Sequence, residues 1–152
     1  MLSILLFLHL AGVAVWVGGM FFAHFCLRPV AAAQLPPPQR LPLMAAVLGR
    51  FFRAVLLAVT LILVTGFVRL GMTGFALAPP HWHAMATSGG VMSVIFALIY
   101  FRHFPRLTAA VAQGAWPDAG AAMDRIRQLV SINLGLGLLT IAIASAGGLL
   151  VG

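Results

Sequence analysis

Five histidines are the side chains of this chain best suited to chemistry, because few other polar groups accompany them. His9 stands in the apolar run Leu8-His9-Leu10, and His24 follows 15 residues later. That spacing in a helix corresponds to about 22 Å of rise and about 60° of rotation. Neutral imidazole is a good ligand for iron and copper, and ionisable groups inside a membrane are costly and usually functional. His9 is therefore a candidate cofactor ligand.

A second apolar run carries histidines at matching depths. His81 and His83 lie at its start and His103 at its end. We expect His9 and His83 to ligate a haem b near the outer face, since small residues follow His83 on its helix face and leave room for a flat macrocycle. His24 and His103 form a candidate inner site for a second haem. The alternative for each histidine is a structural hydrogen bond or an interfacial position.

Arg69 is the lone charge at the outer end of the second apolar run. It is a candidate partner for a haem propionate, and snorkelling to the lipid headgroups is the alternative.

Copper is the alternative cofactor. His81, Met85 and Met92 recur on one face of the third predicted helix, and thioethers select soft Cu(I). Methionine also fills bundle cores without binding metal. Whether His81 or His83 is the ligand on this helix stays open, as does the choice between haem and copper.

The elements that must position these residues follow from composition. The chain has 152 residues, 62% hydrophobic and 7% charged, with a mean hydropathy of +1.10. Such a chain has too few polar side chains to cover the surface of a water-soluble domain, so soluble catalytic domains and nucleic-acid binding are excluded. We predict an all-α, polytopic membrane protein, a four-transmembrane-helix bundle in one domain over 1–152. The predicted helices are 2–28, 49–73, 82–104 and 125–151, and prolines at 29, 36–38, 42, 79–80, 105 and 117 mark the expected boundaries.

The arginines predict the orientation of the bundle. Eight of the nine cluster around the first and third connections, and only Arg69 lies near the second. The positive-inside rule therefore places these two connections in the cytoplasm and both termini in the periplasm of a bacterial inner membrane.

The missing residue types narrow the chemistry. No carboxylate lies in any predicted span, and no serine has an acid beside it to form a hydrolytic triad. Hydrolysis and phosphoryl transfer are therefore not predicted. The remaining prediction is electron transfer or a small haem-dependent oxidoreductase reaction. The candidate partners are membrane lipid, a quinone or redox protein, and a second copy of the chain.

The segments Leu8-His9-Leu10 and Val15-Trp16-Val17-Gly18-Gly19-Met20-Phe21-Phe22 resemble the copper resistance protein D (CopD-like) membrane family. Leu27-Arg28-Pro29, the stretch 36–41 and the stretch 125–134 resemble its small stand-alone members. This resemblance implies copper handling in the cell envelope. The first helix is also similar to HemJ-type protoporphyrinogen oxidases, which implies a haem b ligated by His9. HemJ-type proteins usually carry a lysine in their third helix, whereas this chain has none, so protoporphyrinogen oxidation is not implied.

Overall fold

Four long helices build the protein, as the computed structural model shows for residues 2–150, with side chains described for residues 2–147. They are α1 (Leu2–Gln34), α2 (Pro37–Thr73), α3 (Pro80–Ala112) and α4 (Trp116–Leu150). Each is apolar and long enough to cross about 30 Å of hydrocarbon. The predicted all-α bundle of four spans is therefore confirmed, and the protein is an integral, multi-pass membrane protein.

The helices extend further than predicted at the end that carries eight of the nine arginines, here called the arginine-rich end. Only residues 35–36 separate α1 from α2, and only residues 113–115 separate α3 from α4. The extension of α3 is amphipathic, with Leu107 and Ala110 buried against the other helices. Pro37 and Pro38 begin α2 instead of interrupting it, because a first-turn residue needs no backbone donor.

Two prolines expected to end helices lie inside them. Pro29 and Pro105 each follow a π-helical turn, which spans Phe22–Leu27 in α1 and Ile99–His103 in α3. A proline ring normally clashes with the carbonyl four residues before it, and that carbonyl lies within the widened turn in both helices. The wider turn therefore lets each helix continue past its proline.

The helices pack as two close pairs, α1 along α2 and α3 along α4. Gly12 of α1 permits the first pairing. A Cβ added there would lie 2.9 Å from Ile62 Cγ1 and 3.1 Å from the Ala58 carbonyl oxygen of α2. Small residues drive helix association in membranes by allowing such close backbone approach.

An aromatic cluster forms the centre of the core. The ring of Phe52 packs edge-to-face on Phe96 and Phe104, with centroid distances of 6.0 and 5.2 Å, and Trp16 packs on Phe96 at 6.2 Å. The buried cluster takes residues from α2 only as far as Val59 and from α3 only from Met92 onward. The described side chains are thus packed most densely toward the arginine-rich end.

Asn133 is a buried polar residue in this core, with 1% of its surface exposed. Its Nδ2 donates to the Met92 carbonyl at 3.2 Å, and its Oδ1 has no partner among the described residues. Asn133→Leu removes one hydrogen bond and one unsatisfied acceptor together, so we expect the free energy of unfolding to change by less than about 1.5 kcal/mol. Unfolding by SDS in mixed micelles measures this. A loss above about 3 kcal/mol would contradict it, and Asn133→Asp, which buries a carboxylate, is the destabilising comparison.

Candidate ligand cavity and metal site

A cavity of about 380 Å³ lies at the end of the bundle opposite the arginine-rich end. All four helices line it, and most of its wall is aliphatic or aromatic. Its volume falls within the roughly 300–1,000 Å³ of small-molecule sites. Its wall includes exposed residues of α1 and α4, so the cavity reaches the lipid-facing surface. The polar residues that line it are His9, Thr65, Arg69, His81, Thr140 and Ser145.

His9 is oriented by Thr65 of α2. Its Nδ1 lies 3.0 Å from Thr65 Oγ1, and that hydroxyl donates its proton to the Leu61 carbonyl at 2.6 Å. A hydroxyl has one proton to give, so Thr65 accepts the hydrogen bond from His9 Nδ1–H. The proton on Nδ1 leaves the lone pair on Nε2 free. A second ring nitrogen held by a hydrogen bond is the usual arrangement of a metal-ligating histidine.

His81 of α3 packs against the backbone of α4 at Gly147. A Cβ added to Gly147 would lie 2.7 Å from both Cβ and Nδ1 of His81, closer than atoms approach one another. The glycine therefore makes room for this imidazole in the cavity wall.

Met85 and Met92 line the same cavity, Met85 half-buried and Met92 buried. With His9 and His81 they supply two imidazoles and two thioethers from α1 and α3. In the part of the chain that the structure describes, no three His, Cys, Asp or Glu side chains lie close enough together to hold one metal ion. A metal held there by more than two side chains would therefore need the thioethers, a donor set that suits Cu(I).

His83, predicted to pair with His9, is exposed and does not line the cavity. It follows His81 by two residues, which is about 200° around the helix. The residues that follow His83 on its predicted face include Ala86, Thr87 and Val94; Thr87 and Val94 are also exposed, whereas Ala86 lines the cavity. The structure thus places His81, the alternative that the sequence left open, in the wall of the same cavity as His9.

The predicted inner pair lies near the arginine-rich end and outside the cavity. His24 Nδ1 lies 3.3 Å from Ser131 Oγ of α4, and the His24 ring packs on Phe25 at 4.8 Å. His103 lies in the π turn of α3, close to Arg102 and Arg106. A second haem at this pair remains a prediction.

Arg69 lies in the cavity wall, with its guanidinium carbon 4.9 Å from the centroid of the Trp82 ring. Its Nε is buried and has no hydrogen-bond partner among the described residues. The only acidic side chains of the sequence, Asp118 and Asp124, belong to the opposite end of α4. Asp124 lies about 24 Å along that helix from Thr140, a cavity residue, and pairs with Arg127 at 3.3 Å.

Thr65 and Gly147 are the site residues that sequence reasoning missed. Thr65 precedes Arg69 by four residues, so the two share a face of α2. A hydroxyl on the same face as a lone intramembrane charge could have identified Thr65 as a site residue. No comparable signal marks Gly147, because its role depends on which face of α3 turns toward α4.

The fold and the cavity define a four-span membrane bundle with imidazole, thioether and guanidinium groups at one end. The family model described as copper resistance protein D matches residues 45–146, about two thirds of the chain. The chain therefore belongs to the CopD family. The matched part contains every helix that lines the cavity except α1, so it includes His81, Met85 and Met92 but not His9. No curated protein and no solved structure matches the chain significantly.

Proposed function

We propose that this protein binds Cu(I) in the cavity and handles copper at the inner membrane. The observation that carries the proposal is the contact of His9 Nδ1 with Thr65 in a cavity that His81, Met85 and Met92 also line. The description of the family, copper resistance, points to the same ion.

The donor set accounts for the choice of ion. Thioethers bind soft Cu(I) and are poor ligands for hard cations, while imidazole suits several transition metals. All four groups are neutral when they bind, so they compete with protons only at the two histidines. A cavity without a described carboxylate offers little to Ca²⁺ or Mg²⁺, which take oxygen ligands.

The cavity also sets where copper would be held. Trp16 and Met92 line it and belong to the buried core as well, so the packed aromatic cluster lies directly beyond them. By the positive-inside prediction this cavity faces the periplasm. We therefore propose copper capture from the periplasmic side, with passage to the other side requiring that the core rearrange.

Haem b is the second candidate for this cavity. The same contact of His9 Nδ1 with Thr65 supports it, as does the similarity of the first helix to HemJ-type proteins. Since His83 lies outside the cavity, a second axial ligand there would be His81. The two thioethers and the family description favour copper over haem.

The test compares two histidines that lie two residues apart on α3. The protein in lipid nanodiscs is titrated with Cu(I) against a chromophoric chelator, and visible spectra of the same sample report haem. Loss of an outer-shell partner of a metal lowers affinity by about tenfold or more, so we expect His81→Ala to lower Cu(I) affinity by at least that factor. His83→Ala is the matched control and is expected to leave it unchanged.

Two outcomes would overturn the copper proposal. One is equal Cu(I) affinity in the unaltered protein and the His81→Ala variant. The other is a Soret band with stoichiometric haem in a protein that binds no Cu(I), which would establish the haem alternative.

A further inference from the structure

Arg69 lies in the wall of a mostly apolar cavity and has no counter-ion among the residues that the structure describes. Its Nε is buried and unpaired within the described residues, and Trp82 covers a face of the guanidinium. A charge in such surroundings is costly unless an opposite charge meets it. Since both acidic side chains belong to the far end of α4, an opposite charge at Arg69 would come from outside the side chains of this chain, from a lipid headgroup or from a ligand in the cavity.

Four of the other polar side chains that line the cavity have little to offer an anion. The hydroxyl protons of Thr65, Thr140 and Ser145 are donated within the protein, to Leu61 O, to Ser88 Oγ or Leu136 O, and to Ile141 O. The Nδ1 proton of His9 is donated to Thr65. Arg69 is therefore the positively charged donor in the cavity wall, and its Nε has no hydrogen-bond partner among the described residues.

We infer that the cavity binds an amphiphilic organic carboxylate, with its carboxylate on Arg69 and its apolar body in the cavity. A planar, singly charged carboxylate matches the fork of one guanidinium bidentately, while one arginine neutralises only half of a doubly charged anion. The aliphatic and aromatic wall and the volume of about 380 Å³ suit a body of small-molecule size. The face of Arg69 toward Trp82 is covered, so the edge of the guanidinium is left for the anion.

This inference does not rest on copper. It uses Arg69, Trp82 and the apolar wall, and it applies to the metal-free protein, so the two proposals can fail separately.

The experiment uses a matched pair of ligands, biphenyl-4-carboxylate and its neutral isostere biphenyl-4-carboxamide, titrated by calorimetry into metal-free protein in nanodiscs. Hydrogen bonds to charged groups contribute the equivalent of about tenfold or more in affinity. We expect Arg69→Gln to weaken the acid by roughly that factor and to weaken the amide less, because the amide carbonyl accepts a hydrogen bond from Arg69 but forms no ion pair with it. Retained amide binding also shows that the variant has kept its cavity.

Arg53→Gln is the control variant, because Arg53 lies on the same helix, is exposed and belongs to the arginine-rich end. It is expected to change neither titration. Comparing each variant with the unaltered protein cancels the different solubility of acid and amide in lipid. An acid-to-amide ratio that Arg69→Gln does not change, or that Arg53→Gln changes equally, would overturn the inference.

Discussion

Thr65→Val is expected to lower Cu(I) affinity between about tenfold and a hundredfold, the range found when an outer-shell partner of a metal-bound histidine is removed. Valine keeps the shape of threonine but cannot accept the hydrogen bond from His9 Nδ1–H. The imidazole then loses both its fixed tautomer and its fixed orientation, so Nε2 is no longer presented to the cavity. Chelator competition in nanodiscs measures the change.

Thr60→Val is the matched control for this experiment. Thr60 lies on the same helix and its hydroxyl donates only to the Leu56 carbonyl at 2.9 Å, on an exposed face. Its replacement is expected to leave copper affinity unchanged, while Thr65→Ser restores most of what Thr65→Val loses. If Thr65→Val binds Cu(I) as tightly as the unaltered protein, Thr65 does not orient a ligand.

Phe52→Ala is expected to lower the free energy of unfolding by about 3–5 kcal/mol, as large aromatic truncations in cores do. Phe52 is 2% exposed and its ring meets both Phe96 and Phe104. Alanine leaves a void at the point where α2 and α3 meet, and the surrounding rings lose their packing partners. Unfolding by SDS in mixed micelles measures the loss.

Phe7→Ala provides the comparison, because Phe7 is 68% exposed on the lipid-facing surface of α1. Truncation there is expected to change the free energy of unfolding by less than about 0.5 kcal/mol. Similar losses in the two variants would show that the aromatic cluster is not the stabilising centre of the bundle.

The number of helices and their membrane-spanning character can be predicted from the sequence, because the pattern that determines them extends over whole helices and does not depend on single residues. Long uncharged runs and a hydrophobic share of 62% leave no soluble alternative. The helix ends were harder to predict. Proline signals at Pro29 and Pro105 favour a stop, and only the preceding π turns, which have no marker in the sequence, cancel that signal.

The π turns also limit what a helical wheel can predict. Each accommodates one extra residue, which displaces the following residues by about 100° relative to an ideal α-helix. One such turn, Ala14–Gly18, lies between His9 and His24, and His24 itself lies within a second, Phe22–Leu27. The rotation of about 60° predicted for an ideal helix therefore does not describe this pair.

The candidate site was predictable in part. The depth of His9, the face shared by His81, Met85 and Met92, and the isolation of Arg69 are all visible in the sequence. The small residues after His83 led the sequence analysis to choose the face of α3 that carries His83 as the cofactor-binding face. Small residues alone do not distinguish a space for a cofactor from an ordinary helix-packing surface. Only the approach of α4 at Gly147 decides that His81 is the histidine that faces inward.

Because the cavity opens toward lipid, the ligand concentration that matters is the concentration in the bilayer, not the concentration in water. Leu6 and Leu10 of α1 and Ile141 of α4 are both exposed and part of the cavity wall. A molecule that enters between these helices arrives from the bilayer, where each methylene contributes about 0.8 kcal/mol of partitioning. That corresponds to roughly a fourfold enrichment per methylene before any contact with the protein. For the amphiphilic carboxylate proposed above, the membrane would therefore act as the reservoir from which the cavity fills, and it would select apolar bodies ahead of the protein.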